Sequence, residues 1–464
     1  GLVRRRPGRA GAQRATGWLS SGMRWVLACS CLLLGCAQGP AAPPRDVLVV
    51  LLDALRADAL RCYGAERDTS PHLDAFAARG LCVEGAFASA SYTLASVASL
   101  FTGERPAAHR VLGLATNVLP PSLPTLAQAC AEAGFATAGF SSNPHVVAAG
   151  GFGRGFERFD YLPRDRFDLH SVPASVSTEF LGWWRSEAAR PRFAYVHVLP
   201  PHQPYDPPPP FDQRFGAGAV PRELGLTDRL TALQQARGAA DDPLLLAQIR
   251  ARYDANVAYA DAWFGELLQT LELEPDAAQR LTLVLGDHGE GFGEHGDILH
   301  GANPFAEMTR VPLLLAGPGL TPGVVPGVFS LADLPATLGE LLGVPWPGPG
   351  RSAARELLAG RLDPDREALS RSMGQRPLWA LRRGDWTFVQ QPGGDFSALF
   401  LRSVDPLEQL DRSPAEPAHA AELRLRLEAL LTADQAAAAG RPAPRRHSGD
   451  QGALRALGYL DAED

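Results

Sequence analysis

Hydrophobic positions gather into two runs that hold almost no polar side chain, Val47-Leu48-Val49-Val50-Leu51-Leu52 and Leu281-Thr282-Leu283-Val284-Leu285. Such runs predict strands buried on both faces, the pattern of a parallel sheet covered by helices. Each run leads into an acid, Asp53 directly and Asp287 after Gly286. Parallel strands would bring both acids to one edge of the sheet, and in open α/β sheets ligands bind at that carboxyl edge. An unpaired buried carboxylate is costly, so two converging acids favour a shared cation. For either acid alone, a helix N-cap role is an equally good reading.

Further strand-like runs recur at Thr137–Phe140, Phe193–Leu199 and Val311–Leu315, between segments of helical spacing such as Leu123–Ala133 and Ile249–Leu271. This alternation predicts a predominantly parallel α/β domain over 46–365. Beyond about residue 365 the pattern changes to short strands, Trp379–Arg382, Trp386–Gln390 and Ala398–Arg402, then a helix at Ala420–Leu431. A smaller C-terminal antiparallel sheet is expected over 366–464, with the polar, Ala- and Arg-rich stretch from Ala433 to Gly452 mobile.

Chemistry is concentrated after the second apolar run, where Asp287-His288-Gly289-Glu290, Gly293-Glu294-His295-Gly296 and His300-Gly301 follow in close order. Carboxylates and imidazoles at this density point to metal-dependent ester chemistry. A nucleophile is offered by Ser91-Tyr92-Thr93-Leu94-Ala95-Ser96-Val97-Ala98-Ser99-Leu100-Phe101-Thr102-Gly103. Leu94 to Leu100 can form a helix with Thr93 at its N-terminus, where unpaired N–H groups and the dipole stabilise an alkoxide and an anionic ester. A plain N-cap explains Thr93 equally well in isolation. His197 reads as a strand residue that could be core, His202 and His300 lie in Gly/Pro-rich loops, and His295 is open to an exposed role.

The 464 residues are 45% hydrophobic and carry a net charge of −7, enough for a large core. Six arginines and no acid occur in the first 35 residues, so the remainder carries −13, which argues against nucleic acid as a partner. All 44 basic residues are arginine, so no catalytic lysine exists. Met23-Arg24 opens an apolar stretch, Val26 to Leu34, too short to span a bilayer. It closes in Leu33-Leu34-Gly35-Cys36, which resembles the lipobox of bacterial lipoproteins. Residues 1–36 are thus expected to be an export signal, 37–45 a Pro-rich tether, and Cys36 a lipid anchor to the bacterial cell envelope. Cys62, Cys82 and Cys130 would then remain, allowing at most one intrachain disulfide, with no pair singled out.

Six ordered motifs give the chain a specific resemblance to the sulfatase family of the alkaline phosphatase superfamily. They are Val47–Asp53 with Arg56-Ala57-Asp58, Asp68-Thr69-Ser70-Pro71-His72-Leu73-Asp74, Ala98–Gly103, Val196-His197 through Tyr205, Asp287–Gly296, and Arg310-Val311-Pro312-Leu313. Asp405-Pro406 and Leu454–Tyr459 resemble the family's carboxyl-terminal portion. The resemblance implies an alkaline-phosphatase-like central sheet and a divalent metal, calcium by the sulfatase analogy. Where sulfatases carry Cys/Ser-x-Pro-Ser-Arg, however, this chain reads Thr93-Leu94-Ala95-Ser96-Val97, and threonine cannot be oxidised to formylglycine. Ala54 stands in place of a second acid. Phosphoethanolamine and phosphoglycerol transferases resemble the chain in using a metal-bound threonine. That analogy implies a metal site of Asp53, Thr93, Asp287 and His288, holding zinc or manganese. It also implies that Thr93 is the nucleophile and that His202 and His300, assisted by His197, bind substrate or a second ion. The expected substrate is a small anionic sulfate or phosphate ester, or a lipid or glycan head group, cleaved or transferred. A catalytically inactive envelope binding protein of the same fold is the alternative.

Overall fold

Alternate side chains of the central strands feed two separate cores, so both faces of the main sheet are covered. Val47, Val49 and Leu51 join Leu281, Leu283 and Leu285 on one face, against the helix Thr93–Thr102. Leu48, Val50 and Leu52 join Val284 on the other, against Tyr253, Val257 and Phe264 of the helix Pro243–Glu272. Each fully buried Val or Leu contributes about 1.5–3 kcal/mol, which is why runs with no polar face become interior strands. The computed structural model describes residues 43–113, 118–162, 172–236, 238–441, 445 and 451–457, all within one unit, Ala41–Asp464. The expected signal and its Cys36, and Gly458-Tyr459 of the terminal motif, lie outside the described residues. Among the described residues no helix is long and apolar enough to cross a membrane.

The strands in chain order are β1 (Asp46–Leu52), β2 (Leu81–Phe87), β3 (Ala136–Ser141), β4 (Arg158–Tyr161), β5 (Arg192–Val198) and β6 (Arg280–Leu285). A two-stranded ribbon follows, β7 (Gly291–Phe292) with β8 (Ile298–Leu299), then β9 (Arg310–Val311), β10 (Leu313–Ala316) and β11 (Gly323–Ser330). The main sheet has the order β11-β2-β10-β6-β1-β5-β3-β4, with β9 paired to β2. Strand β1 lies between β5 and β6, parallel to both, and β3 and β4 continue the parallel run. β10 is antiparallel to both of its neighbours, and β9 is antiparallel to β2. Val311–Leu315, read above as one strand, is therefore two, because Pro312 breaks the ladder between β9 and β10.

A second sheet of four antiparallel strands follows: β12 (Glu367–Arg371), β13 (Trp379–Arg383), β14 (Trp386–Gln390) and β15 (Ser397–Leu401). Leu369, Leu381, Phe388 and Leu399 on one face pack on Leu423, Leu427 and Leu430 of the helix Pro417–Ala438. That helix runs past the expected end at Leu431. Residues 433–438 of the stretch expected to be mobile are helical, since alanine favours helix and Asp434 accepts from Arg105 Nε, 3.0 and 2.9 Å from its two oxygens, and from Arg105 Nη2. Strand β12 also ties the small sheet to the large domain, through Ser91 N–H to Arg371 O at 3.0 Å and Arg371 N–H to Ser89 O at 3.1 Å.

Candidate active site

Four strands of the main sheet end on one edge, and each brings a polar group to the same spot. β1 is followed by Asp53, β6 by Gly286, Asp287 and His288, and β3 by Asn143, while His197 lies near the end of β5 in register with Leu51. Asp53, Thr93, His197, Asp287 and His288 are all at most 1% exposed. Asp53 Oδ2 is fully engaged, accepting from Asn143 Nδ2 at 2.5 Å and lying 2.9 Å from His197 Nε2. The other ring nitrogen of His197 meets Tyr195 Oη at 3.0 Å. Oδ1 of Asp53 is turned the opposite way, toward Thr93 Oγ1 at 3.4 Å and His288 Nε2 at 3.5 Å.

Thr93 is not a helix cap. Tyr92 holds the N-cap position with extended backbone (φ −156°, ψ 152°), and Thr93 is the first helical residue. The helix begins one residue earlier than the hydrophobic spacing implies, and that shift turns Oγ1 into the site, 3.1 Å from His288 Nε2. The helix closes at Gly103 (φ 70°), whose N–H returns to Ser99 O at 2.8 Å. His288 Nδ1–H donates to Gly289 O at 2.7 Å, which leaves the Nε2 lone pair facing Thr93. Gly289 has to be glycine, because a Cβ there would stand 2.0 Å from Glu307 O.

Asp287 Oδ1 accepts the Ala54 N–H at 3.2 Å, whereas Oδ2 is buried with no hydrogen-bond partner, 3.6 Å from His288 Nε2. An orphaned carboxylate oxygen in the interior is costly unless a cation completes it. Ligand atoms of Asp53, His197 and Asp287 all lie within 4.8 Å of one another. Asp53 Oδ1, Thr93 Oγ1 and His288 Nε2 form a triangle with sides of 3.1, 3.4 and 3.5 Å, and Asp287 Oδ2 lies 3.6 Å from His288 Nε2. The edge of a tetrahedron of ligands about 2.0–2.1 Å from its centre is about 3.3–3.4 Å, so this triangle has the size of one face of a small divalent ion's ligand shell, with the orphaned Asp287 Oδ2 beside it.

The charges respond to this crowding. Burial alone would raise Asp53, but the imidazoles of His202, His197 and His288 outweigh it and hold the carboxyl below its usual range. Asp287 is raised, by burial and then by Asp53. Burial works against a charge on His288, yet Asp287 and Asp53 overcome it and raise the imidazole. The next layer is a pair of histidines, with the His300 ring centroid 4.4 Å from that of His288 and 4.9 Å from that of His202. Burial pushes His202 down to about 4, and His300 lies well below its ordinary value through burial and His288. Glu290, 3.0 Å from His300 Nδ1, is pushed up to about 7 by burial.

Asp53, Thr93, His197, His202, Asp287, His288 and His300 therefore meet at one edge. His295 is apart from them: its nitrogens are 2.9 Å from Glu307 Oε1 and 2.9 Å from Glu408 O, and its ring stacks on Phe305. Asn143 was not anticipated. Its only signal is a position just past a strand that ends on the same edge. Glu290 was visible within the motif, but its burial was not.

The sulfatase family model matches residues 45–344, more than half of the chain and all of the strands that build this centre. The chain belongs to the sulfatase family. Among its relatives in the family, choline-sulfatase of Rhizobium meliloti (strain 1021) is 26% identical over 82% of this chain and 84% of its own length. Arylsulfatase of Clostridium perfringens (strain 13 / Type A) is 22% identical over 63% of this chain and 74% of its own. The fold is shared with phosphonate monoester hydrolase of Agrobacterium radiobacter, at a TM-score of 0.72 and 21% identity, covering 84% of this chain and 96% of that one. A 2-O GAG sulfatase superposes at a TM-score of 0.70 and 19% identity, covering 89% of this chain and 96% of that one. Within this sulfatase-family site, Val97 is fully buried in the apolar core beneath the helix, and Ala54 adopts a left-handed conformation (φ 57°), with its carbonyl accepting from Tyr253 Oη at 2.8 Å.

Proposed function

We propose that the protein is a metal-dependent hydrolase or transferase of sulfate or phosphate esters, with Thr93 as its nucleophile. The observation that carries this reading is the triangle of Asp53 Oδ1, Thr93 Oγ1 and His288 Nε2 with the orphaned Asp287 Oδ2 beside it. These four would hold the ion, and their mixed oxygen and nitrogen donors suit zinc or manganese better than calcium. When bound, the ion supplies a positive charge that acidifies the hydroxyl and polarises the ester. His197 and Asn143 orient Asp53 through Oδ2 and leave Oδ1 for the reacting side. Thr93 Oγ1, its proton released to solvent as the hydroxyl is acidified, attacks sulfur or phosphorus from the first turn of the helix, whose free N–H groups face the anionic ester. The leaving oxygen departs, and water or an acceptor hydroxyl then displaces the sulfuryl or phosphoryl group from Thr93, which regains a proton. His300, uncharged at neutral pH, offers its Nε2–H to the ester oxygens, and His202, whose Nδ1–H is given to Gln203 O at 2.7 Å, presents an Nε2 lone pair to a substrate hydroxyl or a second ion. Glu290 retains a proton near pH 7 that it can give to His300 Nδ1 while His300 Nε2–H protonates the leaving oxygen.

The choline-sulfatase and arylsulfatase relatives support a small anionic ester as substrate. The lipobox-like Leu33–Cys36 supports a lipid-anchored location in the cell envelope, where lipid and glycan head groups are within reach. The test is to assay the metal-loaded protein and Thr93→Ala on an aryl sulfate, a phosphate monoester and a phosphodiester. Turnover of at least one ester, lost in the variant, is expected. Equal turnover in the variant removes Thr93 as nucleophile, and no turnover of any ester by the native chain favours a binding protein.

A further inference from the structure

The segment that leaves β1 beyond the candidate site returns to the sheet through a short helical turn, Arg61–Tyr63. Tyr63 Oη donates to Val83 O on β2 at 3.0 Å and accepts Leu313 N–H at 2.9 Å. These bonds fix the turn over β2, and Cys62 and Cys82, the residues preceding Tyr63 and Val83, face the same side of the sheet. Cys82 belongs to the apolar cluster beneath the sheet and Cys62 packs against that cluster. Each thiol feels the other: the Cys62 thiol is raised and the Cys82 thiol lowered, in both cases chiefly by the hydrogen bond between the two sulfurs, and Tyr63 adds a second hydrogen bond to Cys82. Cys62 N–H is meanwhile anchored to Asp74 Oδ1 at 2.8 Å, which holds the turn in place. Cys130 lies in the cluster on the opposite face of the sheet, out of reach of this pair.

We propose that Cys62 and Cys82 form a redox-active pair that closes to an intrachain disulfide when the protein meets a disulfide donor. Cys82 is 4% exposed, whereas Cys62 is only partly buried, so the incoming oxidant reaches Cys62. Cys82 ionises first and takes the Cys62 proton across the hydrogen bond as Cys62 Sγ attacks one sulfur of the donor, forming a mixed disulfide and releasing one donor thiolate, which accepts that proton from Cys82. The Cys82 thiolate then attacks Cys62 Sγ, the Cys62–Cys82 bond forms, and the second donor thiolate leaves. Two protein thiols lose two protons and two electrons, and one donor disulfide is reduced to two thiols. The product fastens the segment that leaves Asp53 to β2, closing a loop of about 20 residues. This inference does not depend on the proposed chemistry at Thr93.

The test is to equilibrate the folded chain with oxidised glutathione, quench, denature, block free thiols, and map peptides by mass spectrometry. A linked peptide pair carrying Cys62 and Cys82 is expected, with Cys130 alkylated. The thermal midpoint should rise by a few degrees on oxidation, and the rise should vanish in Cys62→Ser. Both thiols alkylated after oxidation, a stable glutathione adduct on Cys62, or a link to Cys130 would each overturn the proposal. The mapping is done on the unsubstituted chain, so it stands even if a variant folds poorly.

Discussion

Strand β1 carries a fully buried acid at each end, with β5 and β6 as neighbours along its length, and the two ends could hardly differ more. At the start, Asp46 accepts from Arg192 of β5 through the backbone N–H at 2.9 Å, Nε at 3.1 Å and Nη2 at 2.7 Å. Arg192 also bonds Asp276 and lies over the Trp184 ring. At the finish, Asp53 faces a second acid across a gap, with imidazoles and an amide instead of a guanidinium. A guanidinium is permanently charged and bidentate, so the first end is a closed ion pair. Imidazoles can bind an ion or exchange a proton, and two acids in excess leave the second end incomplete without one. What separates framework from reactive centre is therefore the nature of the counter-charge, because burial is equal at the two ends.

Substituting one acid at each end should break that symmetry in opposite senses. The largest effect is expected from Asp287→Asn, which removes the orphaned oxygen. Ester turnover should fall roughly 10²–10³-fold or more, with bound metal lost on dialysis. Assay and elemental analysis of the same preparation check this, and a variant retaining both would refute it. Asp46→Ala leaves Arg192 buried beside Asp276 alone, and should lower stability by about 3–5 kcal/mol. Urea unfolding measures that loss, and turnover per folded molecule should be unchanged.

The contrast was only half visible in the chain. Leu281–Leu285 and Val47–Leu52 announce themselves because burial on both faces erases polar positions, and in Trp386–Gln390 the alternate residues Trp386 and Phe388 mark the face over the small core. Asp53 and Asp287 follow from their positions at strand ends. By contrast β11 reads Gly323-Val324-Val325-Pro326-Gly327-Val328, with a proline and an irregular register that only an edge strand accommodates. β12 has the sequence Glu-Ala-Leu-Ser-Arg, and is held by its pairing with β13 more than by its own propensity. The role of Thr93 hinged on one residue of helix register, finer than hydrophobic spacing resolves. Asn143 and the Cys62–Cys82 contact depend on chain crossings, which no local pattern encodes.

In metal-free protein the sign at the reactive end should reverse. Asp287 is raised by burial and by Asp53, so the native state holds a proton the unfolded chain has released, and stability falls as pH climbs through that window. Asp287→Asn keeps the acceptor for Ala54 N–H and gives the orphaned position a donor toward His288 Nε2. The variant stripped of metal should be more stable than the stripped parent at pH 7, by about 1–3 kcal/mol. A less stable variant would mean that Asp287 is held by framework contacts like those of Asp46.

The smallest effect tests the same rule on a histidine that has no acid. His109 is fully buried under the helix Thr93–Thr102, with Nε2 3.1 Å from Ser99 Oγ and 3.2 Å from Ala95 O, and Nδ1 accepting Val111 N–H at 3.0 Å. Burial pushes it down to about 3, opposite in direction to His288, which has two carboxylates beside it. Protonation would put an N–H on Nδ1 directly against the Val111 N–H. The unfolded chain takes up that proton near pH 6.5, so the contribution of His109 is complete above 6.5 and is lost as pH falls from 6.5 toward 3. The slope is at most about 1.4 kcal/mol per pH unit. His109→Gln cannot titrate and keeps a donor for Ala95 O. Urea unfolding at pH 7 and pH 5.5 should show the gap between parent and variant narrowing by about 1 kcal/mol on acidification. Parallel profiles would show that a counter-charge unrelated to the carboxylates stabilises the imidazolium at this position, and the rule drawn from the two ends of β1 would not extend to histidine.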